Sequence, residues 1–270
     1  MLQLHTFGGL RIERDGQALQ LSTHKARALL AYLIIFRRRS HPRSVLAGTL
    51  WPDLAEDKAR RHLSDTLWRI RSVLGDCVAA DEECVGLNLS QPCWLDVQEF
   101  EAGLQAARGE SQIAASLASH LATCIELYRG PFLDGLYDDW ALAEQERLRV
   151  LYLEALQRLL ELRKQAADYL SALEIAQRLV AAEPLHETAH RELMCLYHLL
   201  GRDAEAVAQY LGCREILRLE LGEVPAPETE ALYQTLSRAA RPAEVQAVHL
   251  PAPARGSVVT LEEPPLVGRD

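Results

Sequence analysis

Apolar and polar residues alternate over the first twenty positions of the chain, and beyond them the apolar residues recur every three or four, so strands should give way to helices. Leu2, Leu4 and Thr6 alternate with polar neighbours, Gly8-Gly9 interrupts, and Leu10-Arg11-Ile12, an Asp15-Gly16 turn and Ala18 to Leu21 follow. That pattern reads as short strands joined by tight turns. Ser22 or Thr23 can cap a helix whose stripe is Ala26, Leu29, Leu30 and Leu33, with Lys25 and Arg27 outside it. A second helix is expected from near Pro42, with Val45, Leu46 and Leu50 on one side, ending at Trp51-Pro52-Asp53. The third spans Glu56 to Leu74. Leu63, Leu67, Ile70 and Leu74 set its buried face, Arg61, Ser64, Asp65, Trp68, Arg69, Arg71 and Ser72 the opposite one, and Gly75 closes it. Cys77 to Ala80, the acidic turn Asp81-Glu82-Glu83, and Val85 to Leu89 read as a β-hairpin. Strands, three helices and a hairpin follow the order of a winged helix with an N-terminal sheet.

Trp94-Leu95-Asp96-Val97, followed by Phe100, marks the crossing into a second part that is almost wholly helical. An offset of 34 residues aligns Ala155 with Ala189, Leu159 with Leu193, Leu162 with Leu196, Ala172 with Ala206 and Leu173 with Val207. This is tetratricopeptide spacing, one helix pair per unit, and stacked units would form a short solenoid with an inner groove. An all-α bundle with accidental periodicity is the alternative; small residues at Ala172, Gly201 and Ala206 favour the repeat. The expected fold is α+β, an N-terminal winged helix (1–97) followed by an all-α, tetratricopeptide-like domain (98–240). Residues 241–270, rich in proline and without period, read as a linker or tail.

Charge changes this picture more than composition does. The chain of 270 residues carries a net charge of −9, yet residues 1–75 hold 13 Lys/Arg against 6 Asp/Glu, and the remainder 16 against 32. A basic first third joined to an acidic remainder is the footprint of a polyanion-binding module attached to something with another partner. On the third helix, cations that can hold phosphates stand among side chains that can reach base edges in a major groove. Most basic helix faces are merely solvated, so the helix alone does not decide the matter. No apolar run approaches the roughly 20 residues that span a bilayer, and Met1 leads into alternating residues rather than an export signal, so a cytoplasmic protein is expected. Cys77, Cys84, Cys93, Cys124, Cys195 and Cys213 include no CxxC pair, and reduced thiols that pack as small apolar groups are expected.

Several segments of the first third together resemble the OmpR/PhoB-type DNA-binding domain of SARP-type antibiotic regulatory activators. They are Phe7-Gly8-Gly9-Leu10, Lys25 to Leu30, Leu50-Trp51-Pro52-Asp53, Ala59-Arg60 running to Leu67, and Ile70 to Gly75. The resemblance implies that Ala59 to Leu74 is a recognition helix. Arg61, Ser64, Asp65, Trp68 and Arg69 would then face bases, and Lys25, Arg43, Arg60 and Arg71 phosphates. The hairpin would be a wing reaching toward the minor groove, although its tip of Asp81, Glu82 and Glu83 is repelled by phosphate. Trp68 could stack on a sugar, wedge against a thymine methyl, or pack on the protein.

The helical part resembles the bacterial transcriptional activator domain that follows the winged helix in such regulators. Leu127 to Leu133, Trp140, Glu183-Pro184, His190 to Met194, Gly201-Arg202, Ala206, Tyr210 and Glu220-Leu221-Gly222 carry that likeness. It implies a homodimer on direct repeats of double-stranded DNA and contact with RNA polymerase, without catalysis or cofactor. Leu266 to Asp270 resembles the lead-in to the ATPase module of larger regulators, but no Walker A motif occurs in the chain. Two rivals stand beside this reading. One is a tetratricopeptide scaffold that binds no DNA. The other is a zinc peptidase built on His186-Glu187-Thr188-Ala189-His190, an HExxH pattern that would take a third ligand such as Glu205 or Glu215.

Overall fold

The alternating opening forms three antiparallel strands, β1 (Leu2–His5), β2 (Arg11–Arg14) and β3 (Gln17–Leu19). In the computed structural model, which describes residues 1–88, 93–108 and 114–239, Asp15 and Gly16 both take positive φ (51° and 81°). A two-residue hairpin turn that follows the strands' twist requires this. Thr23 caps α1 (His24–Ile35), its hydroxyl accepting from the Ala26 N–H at 3.2 Å. The stripe expected on α1 is too narrow: Ala28, Ala31, Tyr32 and Ile34 are buried as well, because other elements cover the helix on almost every side.

After β4 (His41–Pro42) come α2 (Arg43–Leu50) and α3 (Glu56–Leu74). Val45, expected on the buried side of α2, is 46% exposed and Ala47 takes its place, since Leu46, Ala47 and Leu50 share the inward face. Gly75 ends α3 at φ 63° and opens a short 3-10 turn. The hairpin follows as β5 (Val78–Ala80) and β6 (Cys84–Leu87), with β4 alongside β6 in a three-stranded sheet. Leu89, expected to end the hairpin, and the tail 241–270 lie outside the described residues.

The segment expected to lead out of the first part belongs to its sheet. β7 (Cys93–Leu95) pairs in parallel with β1, giving the order β3-β2-β1-β7. Asp96, at the start of α4 (Asp96–Ala106), is 3% exposed, and its carboxylate accepts from the backbone N–H groups of Thr6 (2.7 Å), Phe7 (3.1 Å) and Val97 (2.7 Å) and from the Thr6 hydroxyl. Phe7 packs against Phe100, Tyr128 and Phe132, while Gly8 N–H donates to Pro131 C=O (3.0 Å) and Leu133 N–H to Thr6 C=O (2.7 Å). A Cβ on Gly130 would sit 3.1 Å from the Gly8 Cα, so this approach requires a glycine. Arg37, itself buried, pairs with Glu101, which also pairs with Arg147. The two parts therefore share one core.

The remaining helices are α5 (Ala114–Leu127), α6 (Asp139–Gln165), α7 (Tyr169–Ala182), α8 (Glu187–Leu199), α9 (Asp203–Glu220) and α10 (Pro227–Ala239). The 34-residue offset has a backbone counterpart. Ala167 (φ 55°) turns the chain between α6 and α7, and Gly201 (φ 71°) does so between α8 and α9. Asp168 N–H donates to Arg163 C=O at 2.9 Å, and its counterpart Arg202 N–H to Tyr197 C=O at 2.8 Å. Among the described residues no helix is long and apolar enough to cross a membrane.

Candidate nucleic-acid interface

α3 is built to be wet on one side. Ala59, Leu63, Leu67, Ile70 and Leu74 are buried, while Arg61, Ser64, Asp65, Trp68, Arg69, Arg71 and Ser72 are all exposed. Glu56 and Asp57 sit at the helix's partially positive N-terminus, where carboxylates are favoured. At about 100° per residue, Arg61, Asp65, Trp68 and Ser72 form the crest directly opposite the core. Ser64 and Arg71 descend toward the hairpin; Arg69 descends the other way, beside His62.

Arg43 joins three elements. Its backbone N–H donates to Glu83 C=O (2.8 Å), and its guanidinium to Asp81 C=O (3.1 Å) and to the Ser64 hydroxyl (2.8 Å). The hairpin is thereby fixed against α3, and a groove of about 420 Å³ opens between them, lined by Arg43, Ser64, Leu67, Trp68, Arg71, Ser72 and Ala80. The turn is stiffened from within. The Asp81 carboxylate accepts from the N–H groups of Cys84 (2.6 Å) and Glu83 (2.8 Å), and these bonds hold its carboxyl below the usual range. Glu82 and Glu83 are exposed at the tip.

The expected site residues are thus divided by the structure. Arg43, Ser64, Trp68 and Arg71 surround the groove, and Arg61 and Asp65 continue the crest. Arg60 pairs with Glu56 one turn back (2.9 Å), and Arg61 Nε donates to Asp57 C=O at 3.2 Å. Lys25 stands apart, its ammonium donating to Leu50 C=O (2.6 Å) at the end of α2, 5.9 Å from the Trp51 ring centre. Sequence reasoning missed Arg14, whose guanidinium donates to Val73 C=O (2.9 Å) and ties β2 to the end of α3. Nothing local in the sequence signals a contact across 59 positions.

The HExxH residues are engaged in other ways. His186 lies outside α8 as its cap, Nδ1 accepting from the Ala189 N–H at 3.1 Å. His190 is 1% exposed, its ring nitrogens bonded to Pro184 C=O (2.9 Å) and the Gln209 amide (2.6 Å), and burial lowers its pKa. Glu187 accepts from Ala226 N–H (2.9 Å) and the Thr229 hydroxyl (2.6 Å). Among the described residues no three His, Cys, Asp or Glu side chains are grouped to hold a metal ion, Glu205 and Glu215 included. All six cysteines are free thiols; the Cys93 thiol donates to Trp94 C=O (3.8 Å), and burial pushes Cys93 up to about 11.

Residues 95–237 match the family described as bacterial transcriptional activator domain. The chain is similar to the regulatory protein AfsR of Streptomyces coelicolor, 27% identical over 88% of this chain and 24% of AfsR. It is also similar to the transcriptional regulatory protein MoaR1 of Mycobacterium tuberculosis, 28% identical over 88% of this chain and 79% of that protein. A solved structure of Mycobacterium tuberculosis EmbR in complex with a low-affinity phosphopeptide superposes with a TM-score of 0.64 at 25% identity, covering 88% of this chain and 65% of EmbR. The chain spans about a quarter of the length of AfsR.

Proposed function

Since the chain belongs to the bacterial transcriptional activator domain family, in the arrangement of SARP-type regulators, we propose that it is a transcriptional regulator that reads double-stranded DNA through a winged helix. In this reading α3 enters the major groove and the β5–β6 hairpin is the wing. Residues 1–97 form the reading domain, and 98–240 a tetratricopeptide-like regulatory domain. The observation that carries the proposal is the crest of α3 with its adjoining groove: Arg61, Ser64, Asp65 and Trp68 exposed together beside Arg43 and Arg71, in the basic third of an acidic chain. Arg61, Ser64, Asp65, Trp68 and Arg69 would meet base edges, and Arg43, Arg60 and Arg71 the phosphates on either side. Lys25 would add to the positive field near the end of α2. Two copies would bind direct repeats and present the helical part to RNA polymerase, in the cytoplasm and without catalysis or cofactor.

The test is selection of duplexes from random or genomic DNA by the purified chain, beside an Arg61→Ala/Arg69→Ala double variant. Enrichment of a short direct repeat by the wild type, lost in the variant, is the expected result. A wild type that enriches nothing at low salt contradicts the proposal and favours a scaffold that binds proteins alone.

A further inference from the structure

Trp68 is 70% exposed in the middle of a helix whose other large apolar side chains (Leu63, Leu67, Ile70 and Leu74) are all buried. The fold makes almost no use of it. It stands on the crest with Arg61 and Ser72, farthest from the core, with the groove toward the hairpin on one side. Leaving so large an indole in water forgoes the burial that such a side chain normally contributes. A partner that covers it must offer an apolar group at the bottom of whatever surface α3 enters. Deoxyribose carbons line the walls of a DNA groove and face the flanks of an inserted helix; its crest faces the floor. On the major-groove floor the apolar substituent is the thymine C5-methyl, and thymine O4 beside it is an acceptor that suits the indole N–H.

We propose, on the basis of the DNA-reading function above, that Trp68 recognises thymine, its ring covering the C5-methyl in the major groove. The DNA site then carries a thymine opposite the centre of α3, once in each repeat. Asp65 and Arg61, one and two turns toward the N-terminus of α3, would read the neighbouring positions, so specificity would rest on an apolar contact followed by an acceptor and a donor.

The experiment uses the duplex enriched by the full chain and replaces each thymine in turn by deoxyuridine, which removes the methyl group and keeps the pairing and O4. Wild type should lose about fourfold in affinity at one position per repeat, the worth of one buried methyl. Trp68→Ala, a surface change that leaves the core intact, should bind the thymine and uridine duplexes equally at that position. A flat uridine scan with the wild type overturns the assignment while leaving DNA reading in place. So does a uridine penalty that persists undiminished in Trp68→Ala. Failure to enrich any duplex removes both the reading and the inference.

Discussion

Arg43 and Arg71 line the same groove in different states. Arg43 already spends its donors on Asp81 and Ser64 and holds the hairpin in place, whereas the Arg71 guanidinium donates to no protein group among the described residues. A guanidinium without a protein partner can give all its donors to a phosphate, whereas Arg43 and Arg60 would share theirs with the protein. Arg71→Ala should weaken binding to all sequences alike and lower the slope of log affinity against log salt by about one unit, measured by salt titration; an unchanged slope would take Arg71 off the DNA. His190 carries a different prediction. Burial lowers its pKa in the folded state, so below the ordinary histidine value of about 6.5 the unfolded chain binds the proton more readily. The stability His190 contributes is complete above that value and lost as pH falls through the lower folded pKa. Denaturant unfolding should show a fall between pH 7 and 5 that is shallower in His190→Gln. At this scale the helical period was enough to place Arg61, Asp65 and Trp68 on one face. It could not foresee that Arg43 would be engaged by a turn 38 positions away.

The two inter-helix turns at Ala167 and Gly201 place different residues in one backbone conformation. Glycine takes positive φ freely, whereas an L-residue with a Cβ is penalised by roughly 1–2 kcal/mol. Ala167→Gly should therefore raise stability by up to about 1 kcal/mol, the relief being offset in part by the freer unfolded chain. Gly201→Ala should lower it by a similar amount, both read as shifts in Tm. Gly201 was legible as a repeat marker because glycine signals the turn. Its counterpart was hidden because alanine signals helix, and the turn there is dictated by Asp168 N–H closing on Arg163 C=O. Val45 misled for a related reason: in an eight-residue helix, one apolar residue on the wrong side is enough to tilt the inferred face.

Charge segregation and a change of period suggest two parts, but they do not reveal how closely the N-terminal sheet and the helices after it are joined. A parallel strand three residues long leaves no alternation to detect, and a buried aspartate looks like any helix-starting acid. Asp96 is the clearest case, since four donors, three from Thr6 and Phe7 just after β1 and one from Val97 in α4 itself, converge on its carboxylate. Asp96→Ala would strand them in the core, and a loss of about 3 kcal/mol is expected, with both parts destabilised together. Two separated unfolding transitions in the variant, one for each part, would mean that the junction acts as a local tie only.

That shared core has a consequence for geometry on the duplex. A reading head on a loose tether can turn to follow its site around the double helix while its partner stays where it is. Here α3 cannot rotate without carrying the whole helical body, because β7, Asp96 and the Phe7 cluster lock them into one piece. Two such bodies side by side on tandem sites would be bound to the helical phase of DNA: five base pairs inserted between the sites, about half a turn, would carry one body to the opposite side of the duplex, out of reach of its neighbour.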